Sequence, residues 1–478
     1  MKIGLLVRFF LVSAALTVIV ASAKIAVRTP LMLREGQRLQ AEKQYARALQ
    51  VYLSLAELRP TLAAPHTHLG EIYAAQSRWD EARSEFALAR HLDPTSAEPL
   101  CGLAQVAYSR REPATAVKLW SQALALEPCS MQARCGLGRA YIAWSRFDLA
   151  EQHLRRGLLC DPRHQEAQYL LGVIAANNGD PLAIDHLSAA TQGDDQRLSR
   201  KAAEMVRLLT RLPGGQDETY AAGCLARAFL SYDLPSLAIE QLKRVLDEDP
   251  ENGTANAYLG YALLALGEPN QALRVLREAT RREPKNPLGH YFLGRVHRSE
   301  GYLNTALWNF KRSLALDPSN AAAYAETAGT YEQMSQFSAA EEWYQAAVAL
   351  APEEAGFQLL LAEFYVDVVP NQTAGLAAAE KAAFLAPDDP VAQDLLGWAH
   401  YLAGDLDKAR EALERAISLD PGFARAYYRL GLVCSQLGDR DTALWGYQRA
   451  VDLDTEGLYR TKAIRELSAA GWAEGPAG

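Results

Sequence analysis

The chain has 478 residues, a formal net charge of -8, 49% hydrophobic and 22% charged residues, and six cysteines. That length is too great for one ordinary compact core, and that composition excludes a disordered chain. No Lys/Arg run of the kind that tracks nucleic acid appears, and no closely spaced cysteine pair suggests a zinc or redox motif.

The first element is an apolar stretch, Ile3 to Ala23, with Lys2 before it, Arg8 within it, and Ala21-Ser22-Ala23 followed by Lys24. Basic start, short apolar segment and small residues at its end match a secretory signal cleaved after Ala23. The same 21 residues suffice for an uncleaved membrane anchor. Lys24, Arg28, Arg34, Arg38 and Lys43 follow the segment, and for an anchor they favour a cytoplasmic body. The short N-terminal tail and the Ala-x-Ala site favour export. The expectation is therefore residues 1–28 as signal or anchor, with the body in the periplasm or held at the inner membrane outside the cytoplasm.

From residue 29 onward a period dominates. Pro60, Pro94, Pro128 and Pro162 are spaced by 34, as are Pro250, Pro284, Pro318 and Pro352; Pro387 follows after 35 and Pro421 after another 34. Twenty-four residues before these prolines stands a small residue, such as Gly36, Gly70, Gly138, Gly260 or Gly294. Twelve before stands alanine, such as Ala48, Ala82, Ala150, Ala272 or Ala306. Eight before stands a bulky residue, such as Phe86, Trp120, Phe310, Tyr344 or Leu413. Small residues let two antiparallel helices approach closely, bulky ones are expected to fill the gap to the next hairpin, and proline ends the second helix. One hairpin cannot bury its own apolar face, so stacking must supply the core.

Leu69, Gly70, Tyr73, Ala82, Phe86, Ala89 and Pro94 carry the consensus of one family, and the chain resembles the tetratricopeptide repeat proteins over about residues 29–457. The resemblance implies an all-α, right-handed superhelical solenoid of about twelve helix-turn-helix repeats. They start at residues 29, 63, 97, 131, 165, 219, 253, 287, 321, 355, 390 and 424. The unit from 355 is irregular, with Pro370 and Asn371 in its turn, and residues 458–473 are expected as a capping helix in the tail 458–478.

The register breaks between Pro162 and Pro250, 88 residues apart. Arg197 to Leu212 reads as an extra amphipathic helix with Leu198, Ala202, Met205, Val206, Leu209 and Leu212 on one face, stopped by Pro213-Gly214-Gly215. Two readings stand for residues 196–218: a spacer helix packed on the array, or a hinge between five repeats (29–195) and seven (219–457).

No phosphate loop, nucleophile elbow or zinc-protease motif occurs, so no catalytic residue, cofactor or metal ligand is assigned. Gly136-Leu-Gly138 lies at the small-residue site of a repeat, where packing explains it. His66-x-His68 points its rings to different sides of a helix, and His153 and His164 stand alone. Acidic pairs such as Asp194-Asp195 and Asp388-Asp389 are expected as solvated groups or helix caps. Cys101 and Cys135 occupy matching places too far apart to bridge. Cys129 and Cys160 lie near repeat edges where a bridge is open to them, and most of the six are expected as buried small residues.

The resemblance also implies a working surface. In that family the first helix of each hairpin lines the concave face, through its second, fifth, ninth and twelfth residues. Those places here hold Arg139, Tyr169, Tyr220, Arg227, Tyr261, Tyr291, Arg295, Arg298, Trp398, Arg425 and Tyr428. Arginine and tyrosine combine contact area with directional hydrogen bonds. The track therefore suits an extended peptide with acidic side chains or a C-terminal carboxylate. The family's asparagine-and-lysine carboxylate clamp is missing. The expected function is a non-enzymatic protein-binding scaffold of the bacterial cell envelope, with no nucleic acid partner. Alternatives are an anchored accessory or regulatory subunit of an envelope enzyme or of polysaccharide or pilus assembly, and the repeat half of a glycosyltransferase, which the short C-terminal remainder disfavours. The residues do not specify an oligomeric state.

Overall fold

The computed structural model describes residues 28–42, 44–76, 78–212, 218–454 and 457–472. The apolar segment Ile3–Ala23 and the stop Pro213-Gly214-Gly215 lie outside the described residues. Among the described residues the chain is helical, without a strand, and no helix is long and apolar enough to cross a membrane.

Helices come in antiparallel pairs, and their ends follow from the sequence. The second helices Trp79–Leu92, Pro269–Arg282 and Leu303–Leu316 each end at an acidic residue in non-helical conformation, Asp93, Glu283 and Asp317, directly before a proline of the 34-residue series. The proline ring disfavours helical geometry in the residue before it, which fixes the stop. Several first helices open on polar caps. Ser130, Asn252, Asn320 and Asp389 accept a backbone N–H from the first turn, and so does Asp195 ahead of the inserted helix. Such a cap contributes ~1 kcal/mol. The turn inside several pairs places one residue in the left-handed region, at Gly267 and Gly301 but also at Arg111, Ser145, Asp233 and Ser335.

The small and bulky positions prove to be partners within one pair. A Cβ on Gly70 would lie 2.8 Å from the Phe86 ring, one on Gly138 2.9 Å from Leu154, and one on Gly294 2.5 Å from Phe310. The bulky residue therefore sits on the glycine of its own hairpin instead of only bridging to the next, which corrects the expectation. Phe86 does both, since a Cβ on Gly102 of the following pair would meet the same ring at 2.4 Å.

The chain forms two compact units, one from the chain up to Glu127 together with Gly404 onward, the other from Pro128–Ala403. Neither boundary falls at 196–218. In the first unit, the helix 28–41 pairs with Tyr45–Leu58, followed by Ala63–Ala75 with Trp79–Leu92 and Glu98–Ser109 with Pro113–Leu126. Its C-terminal part holds Leu406–Leu419, Ala424–Leu437, Arg440–Leu453 and Leu458–Ala469. Tyr45–Leu58 packs on Arg440–Leu453, so the first and last pairs of the chain share a surface. The final helix buries Ala463 and exposes Lys462 and Arg465.

In the second unit, Met131–Ala143 pairs with Phe147–Leu158 and Gln165–Asn178 with the short Leu182–Ala190; the inserted helix Gln196–Arg211 follows. Ala202 and Met205 are fully buried on that helix, with Leu198, Val206 and Leu209 packed around them. Gln165 ties it down. Its amide donates to Ala190 O, Asp195 O and Ser199 Oγ at 2.9–3.0 Å and accepts from Asp195 N. Regular pairs resume with Glu218–Ser231 and Pro235–Glu248 and continue to Pro390–Leu402. Near residue 355 the first helix, Ala355–Glu363, loosens into a π-helical turn, Phe364–Val368, just before Pro370.

Cys129 and Cys160 form a disulfide, with Cα atoms 5.8 Å apart. They stand at the two ends of the pair Met131–Ala143/Phe147–Leu158, and the helix leading to Cys160 has 12 residues where regular second helices have 14. Cys101, Cys135 and Cys434 are buried and Cys224 is half-buried, all outside the disulfide.

Candidate partner-binding surface

The sequence-predicted track divides into three environments. In Pro128–Ala403 its first part is not open. Tyr169 is only 5% exposed and belongs to the core, because the second helix of a later pair lies against the first helices of two earlier ones. Pro235–Glu248 packs on both Met131–Ala143 and Gln165–Asn178. Ser236 Oγ donates to Ala143 O at 3.1 Å, and the buried Gln241 amide donates to Asn177 O at 2.7 Å and Asn177 Oδ1 at 2.8 Å. This fold-back follows the inserted helix in the chain, and no single-repeat pattern announces it. Tyr169 is therefore a core ring, with its phenol pushed up by burial. Arg139 remains partly open and pairs with Glu166 at 3.4 Å.

The second environment is open. Tyr220 is 58% exposed, and Arg227 is exposed with no ion pair among the described residues. Tyr261 lies flat on Phe292, centroids 4.9 Å apart and planes at 7°. The Arg295 guanidinium sits 4.7 Å above the Tyr261 ring, a cation–π contact worth roughly 0.5–1 kcal/mol at an exposed site. Tyr291 contacts Phe292 and Phe310, and burial together with Glu326 pushes its phenol up to about 12. Arg298 and Arg295 both reach Glu326 of the next pair. Burial opposes the Arg295 charge most strongly of any single influence, but Glu326 together with Tyr291 and Tyr261 outweighs it and holds that guanidinium above its ordinary value. Further along the same unit Trp398 stacks on Tyr401 at 4.6 Å and 9°.

The third environment belongs to the other unit. Arg425 lies 5.3 Å over Phe423, and Tyr428 is flanked by Tyr447 and by Tyr459 of the final helix, whose Lys462 stands 6.0 Å from the Tyr428 ring. That helix covers part of Tyr428.

Glu326 was missed by the residue-type search, although a signal existed. With a period of 34, residues on neighbouring first helices face each other at separations of 27–31. Arg139 and Glu166, Arg298 and Glu326, and Arg295 and Glu326 all follow this rule. Among the described residues no group of three or more His, Cys, Asp or Glu is placed to hold a metal ion. His66 and His68 turn to different carboxylates, Glu85 at 2.7 Å and Glu71 at 2.9 Å.

Four family models match stretches of the chain. Three are described as tetratricopeptide repeat, over residues 101–158 with 135–196, 234–296 and 424–456; the fourth is described as TPR repeat, over 397–438. No curated protein matches. Among solved structures, the APC/C hetero-tetramer Cut9-Hcn1 is similar at 15% identity and a TM-score of 0.43, covering 94% of this chain and 92% of that one. The yeast Tom70 is similar at 17% identity and 0.40, covering 93% and 95%. MamA protein is similar at 26% identity and 0.32, covering 40% of this chain and 100% of that one.

Proposed function

The chain belongs to the tetratricopeptide repeat family and is a protein–protein interaction scaffold, and on that premise we propose that it holds an extended acidic segment of a partner against the face of Arg227, Tyr261, Tyr291, Arg295 and Arg298. The observation that carries this reading is the half-open Tyr261, backed by the buried Phe292 and covered by Arg295, together with the exposed Arg227, which has no ion pair among the described residues. Aromatic faces supply area, and planar guanidiniums supply directional donors for carboxylates. The reading includes no chemical step.

We also propose that the scaffold works in an oxidising, extracytoplasmic compartment of the envelope, delivered or anchored by its N-terminal segment. Two features support it: the signal-like pattern ending at Ala23, and the pairing of the exposed Cys129 with Cys160. Disulfides persist mainly outside the reducing cytosol.

The test is a crosslinking pull-down from intact envelopes with wild type beside an Arg227→Glu, Arg295→Glu double variant, both verified as folded by circular dichroism. The expected result is a partner captured by wild type and lost in the variant. Equal capture by both would remove this face as the working surface. Quenching the same cells with an alkylating agent, before any lysis, should leave Cys129 and Cys160 unlabelled; labelling of both would count against the compartment.

A further inference from the structure

Glu326 is the one carboxylate on the open part of the face that two track arginines share. Its Oε1 lies 3.2 Å from Arg295 Nε, and its Oε2 contacts Arg298 Nη1. The side chains of Arg295, Arg298 and Glu326 remain 32%, 28% and 21% exposed. They are therefore reachable from solvent.

We propose that Arg295 and Arg298 form a carboxylate-binding site, and that Glu326 fills it in the free chain, so that an acidic partner segment binds by displacing an internal carboxylate. The proposal rests on the binding face described above and adds a specificity-determining residue to it.

Three observations carry it. First, two guanidiniums share one carboxylate, so neither arginine has a carboxylate to itself. Second, Glu326 engages each arginine with a single oxygen. A guanidinium binds a carboxylate best through two parallel N–H bonds, a geometry a side chain shared between two arginines does not reach. Third, both arginines have contacts besides the Glu326 carboxylate. Arg295 rests on the Tyr261–Phe292 stack, and Arg298 lies flat over Gly329, where an added Cβ would stand 3.1 Å from Nη1. Charge complementarity selects the occupant: an aspartate or glutamate side chain, or a terminal carboxylate, on an extended chain.

The experiment uses the full chain and two fluorescent ten-residue peptides, one rich in glutamate and one with lysine in its place, followed by anisotropy at low salt. Glu326→Gln should bind the acidic peptide roughly five- to tenfold more tightly than wild type, with no gain for the basic one, as expected for removing a partly exposed competing ion pair. Adding Arg295→Gln and Arg298→Gln should abolish that gain. Unchanged or weaker binding by Glu326→Gln, or equal gains for both peptides, would overturn the proposal. Should Glu326→Gln lower the melting temperature markedly, Glu326→Asp, which keeps the charge but shortens the reach, must still show an intermediate gain. Arg227→Glu separates the two readings: if it weakens acidic binding while Glu326→Gln changes nothing, the face stands and the displacement fails. If no variant alters acidic binding, both fail.

Discussion

From Gly253 to Leu350 three helix pairs follow one another without interruption, and their first helices keep Tyr261, Tyr291, Arg295 and Arg298 partly open. From Met131 to Glu248 the same kinds of pair occur, but the helix Gln196–Arg211 intervenes, and Pro235–Glu248 returns onto Met131–Ala143 and Gln165–Asn178. Side chains at matching repeat positions then meet opposite fates: Tyr291 stays half-buried on an open face, whereas Tyr169 is core. A repeat position specifies which way a side chain points, and what it meets there depends on whether the stack continues regularly.

That contrast can be broken in three ways. The largest effect is expected from replacing both Cys129 and Cys160 by serine. The bridge spans a sequence separation of 31, and opening a loop of that size removes on the order of 3–4 kcal/mol in the chain-entropy account. Hydrogen exchange should accelerate over 131–190 and stay unchanged over 253–350; equal loss in both stretches would show that they unfold as one.

A smaller effect is expected at the fold-back. Gln241→Ala removes both donors to Asn177 and leaves buried acceptors without partners, which costs about 1–3 kcal/mol. Tyr169 should become more exposed, read as faster exchange in Gln165–Asn178. Unchanged protection there would mean that the apolar contacts alone hold Pro235–Glu248 in place.

The smallest effect is a shared response to acid. Burial depresses the pKa of His153 and His186 in the folded-back stretch and of His290 and His297 in the regular one. A folded-state value below the unfolded one means that the unfolded chain binds more protons. The associated stability is therefore present above the unfolded histidine value of about 6.5 and is lost as pH falls below it. Urea midpoints should drop between pH 7.5 and 5.5 in both stretches, and a rise in either would contradict the sign.

Much of this was legible from spacing. The prolines located the helix ends because the residue before proline leaves helical geometry, and Leu198 to Leu209 marked the inserted helix because its apolar residues repeat on one face. The face was legible only in part. Arg227, Tyr261 and Arg295 could be placed by position, but Glu326 could not be found by a search for arginine and tyrosine, and the burial of Tyr169 depends on a helix about 70 residues later in the chain.

By itself the sequence determined the helices, their pairing and the family, since all of these are local or repeat at a fixed period. Only the tertiary structure decided which part of the inner face is open, which carboxylate occupies it and which two of six cysteines bridge. Those outcomes depend on distances between segments well apart in the chain, and the helix that interrupts the regular stack packs through Ala202 and Met205, which no 34-residue pattern contains.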